Sequence, residues 1–380
     1  MQASKLITSA TLGLALTLTG CSALTPEAVA TSASSGATMP LAGAAEWMPS
    51  TFSADGAWSA KVDENSPVAA GNSGIASVSG QVITVRDAVT GSAVWSSAPI
   101  TGAPTLSFAS DGGSEFLLAT YGSGSNAAHV DAYLTTRSGE GIEPRSTARF
   151  SGKDDAIVTI KASTSGALIS IGADRKVYRP NQQQTVAVSE HARALINDSI
   201  LTVDPSGAFG VQSLSGTKVW SSSSVKPAGA KADSQGTFLA EDNGLIAAKW
   251  AGASGNELLV LLRAVGGTIA ASAPLPAGGA SSALLASKDG RWGVYANLVL
   301  NTSTGSVYEL PADISPALVD RAVVYGAGDH GNAYDAIGKA TVMSPKGAPK
   351  LVAPQGQGIF LSGTELTVGQ MNSLGVKFAG

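Results

Sequence analysis

The chain has 380 residues, of which 45 are glycine, 44% are apolar and only 14% are charged. The formal net charge is −4 and no long run of one sign occurs, which disfavours binding to nucleic acid through a basic surface. The apolar fraction is large enough for a substantial core, and it excludes a globally disordered chain.

The amino-terminal segment has the features of an export signal. Lys5 provides a positive charge, and an apolar run over residues 6–18 follows it. This run is shorter than the roughly 20 apolar residues that a transmembrane helix needs, but it has the length of a secretory hydrophobic region. The sequence therefore predicts export, with residues 1–20 as the signal peptide.

The four residues Leu18-Thr19-Gly20-Cys21 resemble the lipobox of bacterial lipoproteins. The resemblance implies cleavage before Cys21, a thioether-linked diacylglycerol on its sulfur, and acylation of the new amino terminus by a fatty acid such as palmitate. Several acyl chains, each buried CH₂ contributing about 0.8 kcal/mol, make a stable membrane anchor. We therefore expect a lipid-anchored protein on the extracytoplasmic face of the cell membrane. An ordinary secretory cleavage site with an incidental cysteine is the alternative.

Cys21 is also the sole cysteine of the chain, so no disulfide stabilises the exported part. Residues 22–46 are rich in Ala, Ser, Thr and Gly without any periodicity, which is typical of a flexible linker. Some 25 residues of this kind span on the order of 25–30 Å. We assign residues 21–46 to the lipidated cysteine and its tether, and residues 47–380 to one folded domain.

From residue 47 onward the apolar residues occur in short runs bounded by Gly, Pro, Asp-Gly and Ser-Gly. Short runs with period-two alternation or full burial predict β-strands. The clearest runs lie at 81–85, 115–119, 156–160, 167–171, 257–262, 322–325 and 358–361. Asp-Gly pairs at 55–56, 111–112 and 289–290 predict tight hairpin turns. The chain after the tether is therefore predicted to be all-β.

A repeated motif consists of a turn followed by a strand. The stretch 87–97 (DAVTGSAVWSS) returns at 213–222 (SLSGTKVWSS) and, more weakly, at 301–308 (NTSTGSVY). The glycines at 91, 216 and 305 are 125 and 89 residues apart, which is near three and two units of about 40–45 residues. Because a four-stranded blade cannot bury both of its faces alone, stacked blades around an axis satisfy such a chain. We predict a single β-propeller of about seven or eight four-stranded blades.

The motif resembles the tryptophan-docking repeat of quinoprotein-type (PQQ-like) β-propellers, whose pattern is Ala-x-Asp-x-x-Thr-Gly-Lys-x-x-Trp. The first copy matches the pattern at Asp87, Thr90, Gly91 and Trp95, with Val85 and Ser92 as departures. The second copy keeps Gly216 and Trp220 but has Gln212 in place of the aspartate, and the third keeps Thr304 and Gly305 with Asn301 and without the tryptophan. The resemblance implies that Trp95 and Trp220 pack between blades.

The sequence contains little that indicates catalysis or a cofactor. Quinoproteins of this fold hold pyrroloquinoline quinone and Ca²⁺ with an acidic cluster, often beside a vicinal disulfide, whereas this chain has one cysteine, in its lipobox. Fold does not imply function, and we predict neither cofactor nor catalytic activity. His129, His191 and His330 have no neighbour at metal-ligand spacing, so we expect no metal site. The loop 329–335 offers Asp329, Asn332 and Asp335 to a Ca²⁺ ion, although a plain loop is the favoured interpretation.

These features favour a membrane-anchored propeller that acts as a non-enzymatic binding or assembly scaffold in the cell envelope, with an envelope protein or glycan as its partner. A resemblance to envelope-assembly lipoproteins with PQQ-like repeats agrees with this at the level of fold. One alternative is a glycan or small-molecule receptor. Another is a glycan hydrolase or lyase, which would need paired carboxylates about 5–10 Å apart in the channel. We expect residues 52–62 to close the ring by pairing with residues 364–378.

Overall fold

A computed structural model of the protein describes residues 51–153, 156–279, 282–326, 333–342 and 349–371. All of them belong to a compact unit that spans residues 36–380. Cys21, the signal peptide and the tether up to residue 46 lie outside the described residues. Among those described, regular structure consists of β-strands and a short 3₁₀ turn at Ser222–Ser224.

The strands form eight sheets that follow one another along the chain, and each is built on four antiparallel strands, to which one sheet adds a fifth strand in parallel. Blades 1 and 2 contain β2 (Val68–Gly71), β3 (Gly74–Ser79), β4 (Val82–Arg86) and β5 (Ala93–Ser97), then β6 (Thr105–Asp111), β7 (Ser114–Tyr121), β8 (Ala127–Leu134) and β10 (Ser146–Ser151). Blades 3 and 4 contain β11 (Val158–Ser163), β12 (Gly166–Ile171), β13 (Asp174–Arg179) and β14 (Gln184–Val188), then β15 (Ala192–Ile196), β16 (Ser199–Val203), β17 (Phe209–Ser213) and β18 (Lys218–Ser221).

The second half of the ring repeats this plan. Blades 5 and 6 contain β19 (Thr237–Asp242), β20 (Leu245–Ala251), β21 (Glu257–Arg263) and β22 (Thr268–Pro274), then β23 (Leu284–Ala286), β24 (Trp292–Tyr295), β25 (Leu298–Asn301) and β26 (Val307–Glu309). Blades 7 and 8 contain β27 (Pro316–Asp320), β28 (Val323–Gly326), β29 (Ala333–Asp335) and β30 (Ala340–Val342), then β31 (Leu351–Val352), β32 (Gly358–Ser362), β33 (Glu365–Met371) and β1 (Phe52–Lys61). The prediction of an all-β propeller is confirmed, with eight blades.

The apolar runs of the sequence are explained by burial on both faces of each blade. In β21, for example, the four consecutive side chains from Leu259 to Leu262 are all fully buried. Adjacent residues of a strand point to opposite faces, so such a run is stable only where both faces are covered. The described residues form eight apolar clusters, and each cluster joins one blade to the next. The core is therefore a ring of inter-blade interfaces.

The ring closes where the first strand joins the last blade. β1 pairs antiparallel with β33, with Ser59 opposite Thr367 and Lys61 opposite Glu365. The prediction that residues 52–62 close the ring with the carboxyl-terminal region is confirmed. The predicted hairpin turn at Asp55-Gly56 is wrong, because these residues form an irregularity within β1, where the register with β33 shifts between Ser53 and Trp58. The positive φ of Gly56, +73°, serves this bulge.

The connection between β8 and β10 departs from the plan of the other blades. It contains a short additional strand, β9 (Gly139–Ile142), which leaves blade 2 and pairs in parallel with β5 of blade 1. Blade 1 therefore has five strands. Parallel pairing is possible here because a connection of more than ten residues carries the chain over to the neighbouring blade.

Two ends of the propeller can be distinguished by their connections. At one end, which we call the turn face, the first and second strands of each blade are joined, as are the third and fourth. At the other end, which we call the crossover face, the second and third strands are joined, and the chain passes from one blade to the next. The first strand of each blade lies innermost, beside a central channel.

Candidate functional site

The central channel, beside the innermost strands of the blades, is the first candidate for a binding site. Its volume is about 890 Å³, and residues from the first strands of all eight blades line it. Towards the turn face its lining becomes polar and charged. The charged residues of this channel mouth are Lys161, Glu241, Asp242, Arg263, Lys288 and Asp289.

An ion pair bridges two blades that are not neighbours. Lys161 of blade 3 donates from Nζ to Glu241 Oε2 of blade 5 over 2.9 Å, in front of blade 4. Glu241 is nearly covered, whereas the Lys161 side chain is half-exposed. An exposed ion pair adds little stability, so its main effect is to fix the positions of both charges at the mouth.

Blade 5 is joined to blade 6 by hydrogen bonds at the mouth. Asp242 Oδ2 accepts from the backbone N–H of Ala286 over 2.7 Å, and Asn243 Nδ2 donates to the carbonyls of Ser287 (2.6 Å) and Lys288 (3.0 Å). Burial raises the pKa of Asp242 above its ordinary value, and the negative charge of the adjacent Glu241 adds to this effect. These bonds hold the connection between β23 and β24 against the end of β19.

The same boundary has a second link further from the axis. Arg263 donates from Nη2 to the carbonyl and hydroxyl oxygens of Thr302, over 3.2 and 3.0 Å. The Thr302 hydroxyl in turn donates to the carbonyl of Gly290 over 2.8 Å. The polar lining of the channel mouth is thus tied to the framework of the ring.

Other blade boundaries are clamped at the turn face by buried charges. The carboxylate of Asp111 in blade 2 accepts from the Arg179 guanidinium of blade 3 and from the backbone N–H of Asn181, and Arg179 also contacts Asp198 of blade 4 at 2.8 Å. Glu115 accepts from the backbone N–H groups of the turn between β2 and β3. Sequence reasoning missed these clamps because the partners are tens of residues apart and no local motif indicates them.

The repeat residues form tight turns between the third and fourth strands of their blades. Asp87 Oδ1 accepts from the backbone N–H and the hydroxyl of Thr90, and the backbone N–H of Gly91 donates to the Asp87 carbonyl. Asn301 Oδ1 accepts in the same way from Thr304 N–H, and Gly305 donates to the Asn301 carbonyl. Asparagine therefore replaces aspartate here without loss of the turn.

The turn of the second copy is one residue shorter than the other two. It begins at Ser213, whose carbonyl accepts from Gly216 N–H, while Gln212 still belongs to β17 and lies opposite Lys218. The sequence analysis aligned Gln212 with Asp87, and this alignment is wrong, because Gln212 lies in the strand before the turn. The three glycines share a left-handed conformation, with φ of +72°, +88° and +74° at positions 91, 216 and 305. The three glycines lie in blades 1, 4 and 6. They are thus three and two blades apart, as their spacing in the sequence predicted.

The two tryptophans of the repeat lie between blades. Trp95 is 1% exposed and stacks on Tyr133 of blade 2 at 5.6 Å between ring centroids. Trp220 is 8% exposed, and its Nε1 donates to the carbonyl of Ala264 in blade 5 over 2.8 Å. A third tryptophan, Trp58 of β1, donates in the same way to the Ala88 carbonyl of blade 1 over 3.1 Å.

Sequence reasoning missed Trp58, although a signal was present. Residues 57–60 read AWSA, which is close to the VWSS of both other copies. The Nε1 of Trp95, in contrast, is buried without a hydrogen-bond partner. In the other two cases the acceptor carbonyl lies where the third strand of the next blade has ended. In blade 2 the connection after β8 leads into β9, and no acceptor lies within hydrogen-bond distance of Trp95 Nε1.

The remaining candidates do not assemble into a chemical site. His191 lies 3.8 Å from Glu190 at the surface, and Asp335 is buried with its Oδ1 accepting from Ile337 N–H. Asp329, His330 and Asn332 lie outside the described residues. Within the described ranges no three His, Cys, Asp or Glu side chains gather as metal ligands, and no helix is long and apolar enough to cross a membrane.

Comparison with known proteins finds no matching family model and no matching curated protein. Among solved structures, the chain is similar to BamB from Moraxella catarrhalis, with 13% identity, a TM-score of 0.41, and coverage of 82% of this chain and 98% of that one. It is also similar to Sqt1 of Saccharomyces cerevisiae, with 11% identity, a TM-score of 0.47, and coverage of 83% of this chain and 98% of that one. A third similar structure is the WD40 domain of coronin from Toxoplasma gondii, with 11% identity, a TM-score of 0.36, and coverage of 87% of this chain and 90% of that one. At these identities the likeness concerns the fold alone.

Proposed function

We propose that the protein is a non-enzymatic binding or assembly scaffold of the cell envelope, held at the membrane through a lipid on Cys21, and that the channel mouth on the turn face is its partner-binding surface. The observation that carries the proposal is the way in which the polar lining of the mouth is fixed by contacts between blades. Lys161, Glu241, Asp242 and Asn243 all hold their positions through partners on another blade.

Side chains fixed in this way favour binding. Association loses free energy when it orders mobile side chains, by about 0.5–1.5 kcal/mol for each one that becomes immobilised. Glu241, Asp242 and Asn243 are already ordered, so a partner that contacts them loses less. The charges at the mouth are of both signs, and Lys288 and Asp289 are exposed beside one another. This fits a polar protein segment of mixed charge.

A second candidate, a glycan or small-molecule receptor, is favoured by the size of the channel. Its volume of about 890 Å³ lies within the range of roughly 300–1,000 Å³ that ligand pockets occupy. The predominantly polar groups at the mouth would suit a hydroxylated ligand. The glycan hydrolase alternative is less well supported, because Glu241 is neutralised by Lys161 and Asp242 accepts a backbone hydrogen bond. Both carboxylates thus have a structural partner.

Site-specific crosslinking in intact cells tests the scaffold proposal. A photo-crosslinking amino acid in place of Lys288 lies at the channel mouth, and the same group in place of Thr185, which is exposed on the outer strand β14, is the matched control. We expect a defined protein adduct from position 288 and none from position 185, and we expect Lys161→Glu to reduce the adduct. Equal adducts from both positions, or none from 288, would contradict the proposal. A glycan that binds the purified protein and blocks the adduct would favour the receptor.

The anchor is tested separately by fractionation. Cells that express the natural chain should retain it in the membrane fraction and label it with an alkyne analogue of palmitate. In the Cys21→Ser variant the label should be absent, because only the thiol forms the thioether. Retention of label by Cys21→Ser would refute lipidation at this position, whatever the outcome at the channel mouth.

A further inference from the structure

A small polar cleft lies between blades 1 and 2 near the crossover face, away from the channel. Its volume is about 120 Å³. The chain that leaves β5 forms one side, the ends of β7 and β8 form another, and the segment after β9 completes it. The lining consists of Ala98, Pro99, Ile100, Thr101, Tyr121, His129, Asp131, Tyr133, Glu143 and Pro144. The course of β9, which no other blade shares among the described residues, is what brings Glu143 to this place.

The cleft contains a buried hydroxyl that the fold does not satisfy. Tyr121 is 6% exposed, and its hydroxyl makes no hydrogen bond of normal geometry, although the hydroxyl of Tyr133 lies close enough to interact with it. A buried polar group without a proper partner is unfavourable by about 1–3 kcal/mol. A ligand in the cleft would offer this hydroxyl a partner of better geometry than Tyr133 does.

The cleft is also electrically negative. Asp131 lines the cleft; its Oδ1 accepts from the Thr147 hydroxyl over 2.5 Å, and its Oδ2 lies 3.8 Å from His129 Nε2. Glu143 is exposed at the rim and forms no ion pair within the described part of the chain. Arg149 lies opposite His129 on β10 and is exposed, but it does not line the cleft. Burial, and after it the charge of Asp131, raises the pKa of Tyr121 to about 12.

We propose that this cleft binds a primary alkylammonium group, supplied either by a lysine side chain of a partner protein or by a free polyamine. An ammonium group has three donors, and the cleft offers three acceptors: the carboxylates of Asp131 and Glu143 and the hydroxyl oxygen of Tyr121. The stacked rings of Tyr121 and His129, 4.4 Å apart, and the apolar side chains of Ile100 and Pro144 suit the methylene stem.

Other ligands fit the cleft less well. A divalent metal ion needs several oxygen ligands, and the described residues contain no cluster of three His, Cys, Asp or Glu side chains that would hold one. An anion would be repelled by both carboxylates. The volume excludes a larger organic ligand. This inference does not depend on the role proposed for the channel mouth.

Titration calorimetry on the full-length purified protein tests the proposal, with cadaverine as the probe. The sharpest variant is Glu143→Gln, which removes a rim charge without disturbing the core, and Glu140→Gln in β9 is the matched control because Glu140 does not line the cleft. We expect Glu143→Gln to weaken cadaverine about tenfold, which corresponds to about 1.4 kcal/mol, and Glu140→Gln to change it less than twofold. Tyr121→Phe should weaken binding severalfold.

The outcomes are decisive in either direction. Equal losses in Glu143→Gln and Glu140→Gln, equal affinity for the neutral analogue 1-pentanol, or no heat at about 10 mM cadaverine would overturn the proposal. Because Tyr121 is buried, the result for Glu143→Gln stands even if Tyr121→Phe fails to fold. A peptide with one internal lysine that binds more tightly than cadaverine identifies a partner protein as the source of the ammonium group. Binding of cadaverine without the peptide identifies a free polyamine.

Discussion

The tryptophans at blade boundaries offer a quantitative test of how the ring is held together. Trp220 and Trp95 occupy equivalent positions on the outer strands of blades 4 and 1, and both are buried. The Nε1 of Trp220 has a carbonyl acceptor, Ala264, whereas that of Trp95 has none. Replacement of each by phenylalanine removes the same N–H group from two different environments.

The magnitudes follow from this difference. Loss of the larger ring removes packing worth about 1–1.5 kcal/mol at both positions, which is part of the 3–5 kcal/mol lost on complete truncation of a tryptophan. Trp220→Phe also deprives a buried carbonyl of its donor, which is unfavourable by about 1–3 kcal/mol. Trp95→Phe instead removes a buried N–H that has no acceptor, and this relieves a similar amount. We expect Trp220→Phe to lower the free energy of unfolding by about 3 kcal/mol and Trp95→Phe by less than about 1 kcal/mol.

Equilibrium unfolding in urea, followed by far-ultraviolet circular dichroism, measures both variants against the natural protein. The free energies of unfolding can be compared when the variants and the natural protein share the same slope of free energy against urea concentration, because the surface exposed on unfolding is then the same. Trp58→Phe serves as an intermediate case, since the Ala88 carbonyl also accepts from Gln370 Nε2 at 3.4 Å. Equal losses in Trp220→Phe and Trp95→Phe would refute the reasoning about the missing acceptor.

Three further predictions concern the blade clamps and a glycine. Arg179→Ala should lower the free energy of unfolding by about 3–5 kcal/mol, since it leaves Asp111 buried and unpaired; a loss below 1 kcal/mol in urea would contradict this. The raised pKa of Asp242 means that its ionised form disfavours folding, so Asp242→Asn should stabilise the protein at pH 7. Asp242 becomes protonated as the pH falls towards 4, and thermal unfolding should show that the advantage of the variant disappears over this range. Gly74→Ala should cost about 3 kcal/mol, because its Cβ would lie 2.2 Å from a carbonyl, whereas Gly80→Ala should cost about 1 kcal/mol in open space; similar losses would exclude the clash.

The sequence alone was sufficient for the features that depend on neighbouring residues. Continuous apolar runs and turn residues predicted the strands. The spacing of Gly91, Gly216 and Gly305 agreed with units of about 40–45 residues, and the length of the domain then predicted seven or eight blades. Local geometry explains this success, because a glycine with positive φ and an aspartate that caps its own turn need no distant partner. Even here the pattern had limits. Asp55-Gly56 has the composition of a hairpin turn, but pairing of β1 with β33 makes it a bulge.

Only the tertiary structure decided which side chains meet across blades. Lys161 and Glu241 are 80 residues apart in the sequence, and Asp111 and Arg179 are 68 apart. Such contacts depend on strand register and on the packing of whole sheets, which no short window of sequence records. The excursion of β9 is the clearest case, since it depends on pairing with a strand of another blade. That pairing carries Glu143 to the cleft, because backbone hydrogen bonds to β5 fix where the connection runs.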